Sequence, residues 1–227
     1  MSGGATVTKK DVVIFGNTGF SAMVKKSIDR YADYSVVAFC VDAEYISGDM
    51  FEGIPIVAYE SIEETYPADK YDILITVGYK KMNGIRQKTY HSAKEKGYCL
   101  QNFIHPKATV ESNLLGEGNI ILANADIGMD ATIGNCNFIW NGCIISHDAC
   151  IGDFNYFAPG AILGGNVTVH DRCFLGLGSI VKNGCVIETG TLVGAGCYIS
   201  NSTNEYEVWV PERSSKLQRK SDDEELL

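Results

Sequence analysis

An apolar residue returns at every sixth position through the second half of the chain. The series runs through thirteen positions with no insertion and no polar member: Ile127, Ile133, Ile139, Ile145, Ile151, Phe157, Leu163, Val169, Leu175, Val181, Ile187, Val193 and Ile199. The fourth residue after each is mostly small, and four of the eight cysteines fall in that column: Cys143, Cys173, Cys185 and Cys197. Such hexapeptide repeats predict a parallel β-helix in which three hexads make one coil, so residues three hexads apart should stack.

The first hundred residues instead alternate short apolar runs with helical segments. The predicted strands are DVVIFG, YSVVAFCVD, IPIVAYE, YDILITVGY and YCLQNFI, and the predicted helices are GFSAMVKKSIDRY and NGIRQKTYHSAKEKG. Strands that alternate with helices predict a parallel sheet with crossover connections. We therefore expect a small Rossmann-like α/β domain over residues 1–104, the β-helix over 105–202, and a C-terminal extension with a flexible tail over 203–227.

Composition narrows the classes of function. The 227 residues are 45% hydrophobic and 21% charged, as in ordinary globular proteins, and the net charge of −9 argues against a nucleic-acid partner. The sequence has no apolar run of about 18 residues, which predicts no membrane span, and the start MSGGATVTKK resembles no signal peptide. We expect a cytoplasmic protein whose thiols are reduced, with the repeat cysteines serving as buried packing residues.

His147 is the first candidate for chemistry. It lies two residues after Ile145, so it should occupy a corner of a coil, and its stacked neighbour one coil later is Gly165. A glycine there predicts free space beside the imidazole, and histidine is suited to general-base catalysis near neutral pH. The alternative is that His147 is only a polar turn residue. Zinc chemistry is disfavoured, because only two of the four histidines lie in the repeats and such sites need three.

A second candidate site follows the first predicted strand. The segment GNTGFS joins that strand to its helix, and the backbone amides of Gly16, Asn17, Thr18 and Gly19 would suit a pyrophosphate. Asp42 ends the second strand, where a carboxylate can accept hydrogen bonds from a ribose or a base. The alternative is that the glycines only permit the turn. NAD is disfavoured, because the sheet is too short for two mononucleotide halves.

The order of the two domains, the junction FIHPKATV and the segment SHDACIGDFNYFAPGA resemble bacterial nucleotide-amino-sugar N-acetyltransferases, which are related to the sialic-acid O-acetyltransferase-like proteins. The resemblance covers roughly residues 11–211. It implies a left-handed β-helix, a homotrimer, acetyl-CoA between neighbouring β-helices, and a UDP- or dTDP-linked amino-deoxy sugar on the N-terminal domain. The expected setting is cell-surface polysaccharide biosynthesis.

The resemblance also implies roles for individual residues. His147 matches the general base, Asp148 an acidic residue that orients it, and Gly165 a glycine whose backbone contacts the acyl-CoA. Further contacts to CoA are expected from Leu177 and Ala195, and contacts to the nucleotide sugar from Gly78, Lys80 and Lys81. Direct transfer of the acetyl group requires no metal and no covalent intermediate.

Two departures from the family pattern qualify these expectations. Phe20 stands where the family has a histidine, and the chain near Pro211 lacks the family's G-x-P-A-K segment at the adenine end of CoA. Two other functions remain open from sequence: acetylation of a sugar hydroxyl by the same fold, and a scaffold or binding subunit without enzymatic activity.

Overall fold

The computed structural model describes residues 10–112 and 114–212, together with Ser214 and Lys216. An N-terminal α/β part is followed by a stack of very short strands. The α/β part contains β1 (Val12–Phe15), α1 (Gly19–Tyr31), β2 (Val36–Val41), a 3₁₀ turn (Ala43–Tyr45), β3 (Met50–Phe51), β4 (Ile54–Ala58), a second 3₁₀ turn (Tyr59–Ser61), α2 (Ile62–Thr65), β5 (Asp72–Ile75) and α3 (Gly84–Glu95).

The five N-terminal strands form one sheet in the order β3-β4-β2-β1-β5. The strands β4, β2, β1 and β5 are parallel, and only β3 runs antiparallel to its neighbour. Because the parallel strands are nearly continuous apolar runs, both faces of this sheet are buried. The sequence prediction of a parallel sheet is therefore confirmed for β1, β2, β4 and β5. A crossover helix, α1, joins β1 to β2, whereas β2 and β4 are joined by a 3₁₀ turn and β3.

Eighteen two-residue strands form the rest of the described chain. They are β6 (Phe103–Ile104), β7 (Thr109–Val110), β8 (Leu114–Leu115), β9 (Ile120–Ile121), β10 (Asp126–Ile127), β11 (Thr132–Ile133), β12 (Phe138–Ile139), β13 (Ile144–Ile145), β14 (Cys150–Ile151), β15 (Tyr156–Phe157), β16 (Ile162–Leu163), β17 (Thr168–Val169), β18 (Phe174–Leu175), β19 (Ile180–Val181), β20 (Val186–Ile187), β21 (Leu192–Val193), β22 (Tyr198–Ile199) and β23 (Val208–Trp209).

These strands build a parallel β-helix with three flat faces. Up to β22, every third strand belongs to the same face: β6, β9, β12, β15, β18 and β21 form face one, β7 to β22 face two, and β8 to β20 face three; β23 then adds to face one beside β21. Between β9 and β22, strands that are one coil apart pair in parallel, as Ile127 pairs with Ile145. All thirteen repeat positions are buried, and so are the four repeat cysteines. The predicted parallel β-helix is confirmed.

A ladder of buried asparagines lines the corner between faces three and one. Asn119, Asn137 and Asn155 are completely buried, and each side-chain Oδ1 accepts a hydrogen bond from the backbone N–H one coil later. The distances are 2.8, 2.8 and 2.7 Å, the last to the N–H of Cys173. The ladder satisfies polar backbone groups that the tight corner would otherwise leave unpaired.

Two predicted elements differ from the structure. The segment YCLQNFI contributes only one isolated bridge, Leu100 to Ile73, to the N-terminal sheet, while its end pairs with β9 as the first strand of face one. The side chain of Asn102 turns the chain there by bonding to the carbonyl of Gly116 and the N–H of Asn119. The C-terminal extension adds a strand, β23, to face one. The predicted tail lies outside the described residues, except for Ser214 and Lys216.

Face one of the β-helix packs against the N-terminal sheet through a shared core. Phe103, Ile120 and Phe138 belong to the same buried cluster as Val12 and Ile14 of β1. This joint fixes the α/β part against face one and against the adjoining corner, where Phe20 stacks on Trp140. Among the described residues, no helix has the length and the apolar character of a membrane span.

Candidate active site

Three of the segments singled out in the sequence meet at one edge of the N-terminal sheet. Gly16 follows β1, Asp42 follows β2, and Gly78 lies beyond β5. Because β1 lies between β2 and β5, and all three are parallel, their carboxyl ends are adjacent. We call the segments 16–19, Asp42 and 78–81 the carboxyl edge. Ligands of open α/β sheets bind at such edges.

The segment 16–19 can offer a ligand the amides of Asn17 and Gly19, since the N–H of Gly16 donates to the carbonyl of Cys40 at 2.9 Å and that of Thr18 to the hydroxyl of Ser21 at 3.1 Å. Gly16 has a φ of +127°, and a Cβ at this position would lie 2.6 Å from Oγ1 of Thr76. Thr18 caps α1 and exchanges hydrogen bonds with Ser21, whose hydroxyl bonds to Thr76 at 2.8 Å. The first turn of α1 contains no acidic residue, so its free N–H groups and dipole favour a negatively charged ligand.

Asp42 lies in an acidic environment. Partial burial raises the pKa of its carboxyl, and the neighbouring Glu60 and Glu44 raise it further. Asn17 reaches towards the same segment and donates a hydrogen bond to the carbonyl of Tyr45 at 3.2 Å. The structure therefore brings the loops after β1 and β2 into direct contact.

The loop after β5 has an unusual backbone. Lys81, Met82 and Asn83 all adopt left-handed φ values of 53°, 47° and 60°. Such a conformation costs about 1–2 kcal/mol at each non-glycine residue, so other contacts must stabilise it. Asn83 is completely buried and donates to the carbonyl of Cys173 in the β-helix at 3.1 Å. The β-helix thus fixes the loop that exposes Lys80 and Lys81 at the carboxyl edge.

His147 lies at the corner between faces two and three. Its side chain is 61% exposed, and its Nδ1 lies 2.7 Å from Oδ2 of Asp148. Asp148 has a φ of 57°, the left-handed corner conformation that Asp130 and Asn166 also adopt one coil before and one coil after it. A carboxylate at Nδ1 favours the tautomer protonated there and leaves Nε2 free to accept a proton. The pair therefore has the arrangement of an oriented general base.

The imidazole lies directly over Gly165. A Cβ added to this glycine would come within 2.6 Å of Nε2 and 2.7 Å of Cε1 of His147. The sequence predicted free space at this point, and that expectation was wrong in detail, because the ring itself occupies the space. The glycine is needed so that the flat ring can lie on the backbone.

Leu177 and Ala195 lie at a different corner, between faces one and two. They stack as their spacing of three hexads predicts, and the N–H of Gly196 donates to the carbonyl of Leu177 at 2.8 Å. Leu177 is 57% exposed. One face of about five extended residues, roughly 15 Å, separates this corner from the corner of Gly165. Within a single chain, Gly165 therefore lies apart from Leu177 and Ala195. His147 likewise lies apart from the carboxyl edge.

Several residues at the joint between the two parts were not identified from the sequence. They are the completely buried Arg86, which bonds to the carbonyls of Phe154 and Asn155, and the aromatic residues Tyr79, Trp140, Tyr156 and Phe174. One signal was available: Phe138, Tyr156 and Phe174 follow one another at intervals of three hexads and directly precede inward-facing repeat positions. Among the described residues, no cluster of three or more His, Cys, Asp or Glu side chains could hold a metal ion.

Comparison with known proteins gives matches only among solved structures. No protein-family model and no curated protein sequence matches the chain. PerB from Caulobacter crescentus, in complex with CoA and GDP-perosamine, is 30% identical, with a TM-score of 0.78 over 87% of this chain and 92% of that chain. GDP-perosamine N-acetyltransferase from that organism has also been solved with one histidine replaced by alanine or asparagine.

Two further structures share the fold at lower identity. The acetyltransferase domain of PglB from Neisseria gonorrhoeae is 22% identical, with a TM-score of 0.79 over 88% of this chain and 96% of that chain. WeeI from Acinetobacter baumannii is also 22% identical, with a TM-score of 0.77 over 87% of this chain and 95% of that chain. The N-terminal α/β part and the β-helix therefore occur together in other proteins.

Proposed function

This chain belongs to the hexapeptide-repeat family of bacterial sugar acetyltransferases, and we propose that it transfers the acetyl group of acetyl-CoA to the amine of a nucleotide-linked amino-deoxy sugar. The observation that carries the proposal is the contact between His147 and Asp148 over the bare backbone of Gly165. PerB, at 30% identity, was solved with CoA and with a nucleotide-linked amino sugar.

His147 acts as the general base in this proposal. The amine nitrogen attacks the thioester carbonyl, Nε2 accepts the proton that the amine loses, and CoA departs as the thiolate, which is then protonated. Asp148 is the residue that holds the proton on Nδ1 and stabilises the imidazolium. Direct transfer between two bound substrates gains most of its rate from their proximity, and a backbone N–H near Gly165 is suited to polarise the carbonyl.

The complete site requires a second copy of the chain. Face two carries an outward stripe of four apolar residues, Ile144, Ile162, Ile180 and Tyr198, of which Ile180 is 41% and Tyr198 61% exposed. Exposed apolar patches of this kind mark protein interfaces. The stripe lies between the corner of Gly165 and the corner of Leu177. We infer a homotrimer of left-handed β-helices in which acetyl-CoA contacts Gly165 of one subunit and Leu177 and Ala195 of its neighbour.

We take the N-terminal part to be a Rossmann-like domain that binds the nucleotide sugar. The nucleotide sugar lies at its carboxyl edge. The pyrophosphate lies on the amides of Asn17 and Gly19, because those of Gly16 and Thr18 already donate to the carbonyl of Cys40 and the hydroxyl of Ser21. Gly78, Lys80 and Lys81 lie on its other side. The carboxylate of Asp42 accepts hydrogen bonds from the ribose or the base. The sequence resemblance implies UDP or dTDP, whereas PerB binds GDP-perosamine, so all three nucleotides belong in the test.

The test is release of free thiol from acetyl-CoA with UDP-, dTDP- and GDP-linked 3- and 4-amino-deoxy sugars. We expect one amino sugar to give strong release and His147→Ala to reduce kcat by about 10²–10⁴-fold, the usual contribution of a general base. His170→Ala is the matched control, because His170 is exposed at a different corner and its Nε2 lies 3.7 Å from the carboxylate of Glu188. Release with sugar hydroxyls alone would indicate O-acetylation, and no release with any acceptor would reject the enzymatic proposal.

A further inference from the structure

Three acidic residues follow one another along the corner between faces two and three. Glu111, Asp130 and Asp148 belong to successive coils, and all three are exposed. Asp148 contacts the imidazole of His147, whereas Glu111 and Asp130 lie in the two coils before that pair. The first basic residue on this corner is Lys182, in the third coil after that of Asp130. We call Glu111 and Asp130 the acidic corner.

Helix α1 lies along the opposite edge of face two, at the corner between faces one and two. At its start Phe20 stacks on Trp140, with ring centroids 5.0 Å apart, and at its end Tyr31 packs against His105 at 4.4 Å. His105 follows β6 and Trp140 follows β12, so α1 runs beside three successive coils. These are the same three coils that contain the acidic residues above.

The side of α1 that faces away from the N-terminal sheet is open. Val24 and Ile28 pack under the sheet together with face one, so the opposite side of the helix points along face two. A groove of about 820 Å³ runs along that side, and its lining includes Lys26 and Arg30, which are both exposed. A second subunit packed on face two would therefore meet these two side chains.

The charges of the groove leave Lys26 and Arg30 able to bind a carboxylate of a partner. Glu52 and Asp29, the acidic residues of the lining, already form ion pairs with Lys26 at 2.9 Å and with Lys25 at 2.6 Å. The side chain of Lys26 is still 67% exposed, and an ammonium group can donate to more than one carboxylate. The guanidinium of Arg30 presents a planar fork that suits a carboxylate.

The proposed trimer brings the acidic corner of one subunit against the groove of the next. In that trimer, acetyl-CoA lies between the corner of Gly165 in one subunit and the corner of Leu177 in its neighbour. The corner of Gly165 continues into the acidic corner, and the corner of Leu177 continues to the coils beside α1. A threefold axis along the β-helices keeps equivalent coils at equal heights in all subunits.

Two pairs of opposite charge then lie at equal heights. Asp130 belongs to the middle of the three coils, and Lys26 lies near the middle of α1. Glu111 belongs to the first coil, beside the end of α1 that carries Arg30. We propose that Lys26 of one subunit binds Asp130 of the next. Arg30 binds Glu111 in the same way, so that each α1 docks on the acidic corner of its neighbour.

The inference rests on the homotrimer of the proposed function and adds the surface that holds the N-terminal part of one subunit on the β-helix of another. The apolar stripe of face two supplies most of the association, because exposed ion pairs contribute little individually and weaken with salt. The ion pairs fix the register of the two surfaces, since complementary charges act mainly on specificity.

Charge reversal tests the pairing of Arg30 with Glu111. Sedimentation in a urea series measures the urea concentration at which half of the trimer has dissociated. We expect Arg30→Glu and Glu111→Arg each to lower that midpoint by about 0.5 M or more, and the double variant to recover at least half of the loss. Glu64→Arg makes the same change of charge on α2, across the sheet from α1, and should leave the midpoint unchanged. A double variant that dissociates as easily as either single variant would overturn the proposal.

Cross-linking tests the pairing of Lys26 with Asp130. A carbodiimide joins adjacent lysine and aspartate side chains as an amide, and trimers assembled from isotope-labelled and unlabelled chains show which links cross between subunits. We expect mixed-label peptides that contain Lys26 and Asp130. Asp130→Asn keeps a residue suited to the left-handed backbone of that position and should abolish the link. A Lys26 that is linked only within its own chain, or not at all, would contradict the pairing.

The two experiments also distinguish the docking surface from acetyl transfer. A wild type that releases thiol from acetyl-CoA but sediments as a monomer would reject the docking surface and not acetyl transfer. A trimer with the expected links that releases no thiol would reject acetyl transfer and leave the docking surface in place.

Discussion

The guanidinium carbon of Arg86 lies 3.9 Å from the centre of the Phe138 ring, and both side chains are completely buried. Arg86 belongs to α3, and Phe138 to face one of the β-helix. The same guanidinium donates to the carbonyls of Phe154 at 2.7 Å and Asn155 at 2.9 Å. Burial lowers the pKa of Arg86 to about 10, and among the described residues no carboxylate forms an ion pair with it. The aromatic face and the carbonyls therefore stabilise a buried cation at the joint of the two parts.

Arg86→Lys should destabilise the protein by about 2–4 kcal/mol. Lysine keeps the charge but lacks the planar fork, so at least one buried carbonyl loses its donor, at about 1–3 kcal/mol each. Urea unfolding followed by circular dichroism measures the change. Arg30→Lys, on the exposed side of α1, should stay within about 0.5 kcal/mol of wild type. Equal midpoints for the two variants would show that the fork is unimportant.

Asn137→Ala should cost about 2–4 kcal/mol, because it removes the middle step of the asparagine ladder. The change leaves the buried N–H of Asn155 and the carbonyl of Gly152 without their partner. Thermal and urea unfolding should both show the loss. Asn141→Ala is the control, since Asn141 is exposed on another corner. A similar small effect for both variants would mean that water replaces the ladder without cost.

Gly165→Ala should reduce kcat/KM for acetyl transfer by about 100-fold with little loss of stability. The new methyl group would displace the imidazole of His147, and a misplacement of about 1 Å at a reacting group costs on the order of 10²-fold. The side chain of His147 is exposed and can move away, so the fold should persist. Gly48→Ala adds a methyl group where no atom lies within 4 Å, so it should change neither kcat/KM nor stability. Full activity in Gly165→Ala would exclude this ring position from the mechanism.

The lowered pKa of the His105 imidazole predicts that the protein loses stability on mild acidification. Burial lowers the pKa of its imidazole, and the nearby Lys107 lowers it further. The unfolded chain then binds the proton at a higher pH than the folded chain, so stability falls as the pH drops below about 6.5. His105→Asn retains an acceptor for the N–H of Lys107 and should lose less stability between pH 7.5 and 5.5. Parallel urea series for both proteins measure this, and identical slopes would contradict it.

The six-residue period made the β-helix predictable from sequence. Stacking of one coil on the next placed His147 over Gly165 and Leu177 beside Ala195, because in a coil of fixed length such relationships follow from counting. The strand-helix alternation likewise located the carboxyl edge. These predictions succeeded because each depends on spacing within one regular element.

The joint between the two parts was not predictable in this way. Phe20 meets Trp140, and Arg86 meets Phe138, only because the N-terminal sheet packs on face one, and no periodicity connects such distant residues. The left-handed turn at Lys81, Met82 and Asn83 contains no glycine that would have signalled it. The prediction that YCLQNFI forms a strand of the N-terminal sheet was wrong for a related reason, because the end of this segment pairs with β9 in the β-helix.

The constant register of the coils limits how such a chain can change its length. Adding one residue before Gly165 would turn every later hexad inside out, so that Leu175 would leave the core. Adding a single hexad would preserve the core but shift Leu177 to the corner that now holds Gly165. Only the gain or loss of three hexads, which make one complete coil, keeps every residue at its own corner. Such a change alters only the length of the β-helix along its axis. Insertions and deletions compatible with a working site therefore come in whole coils.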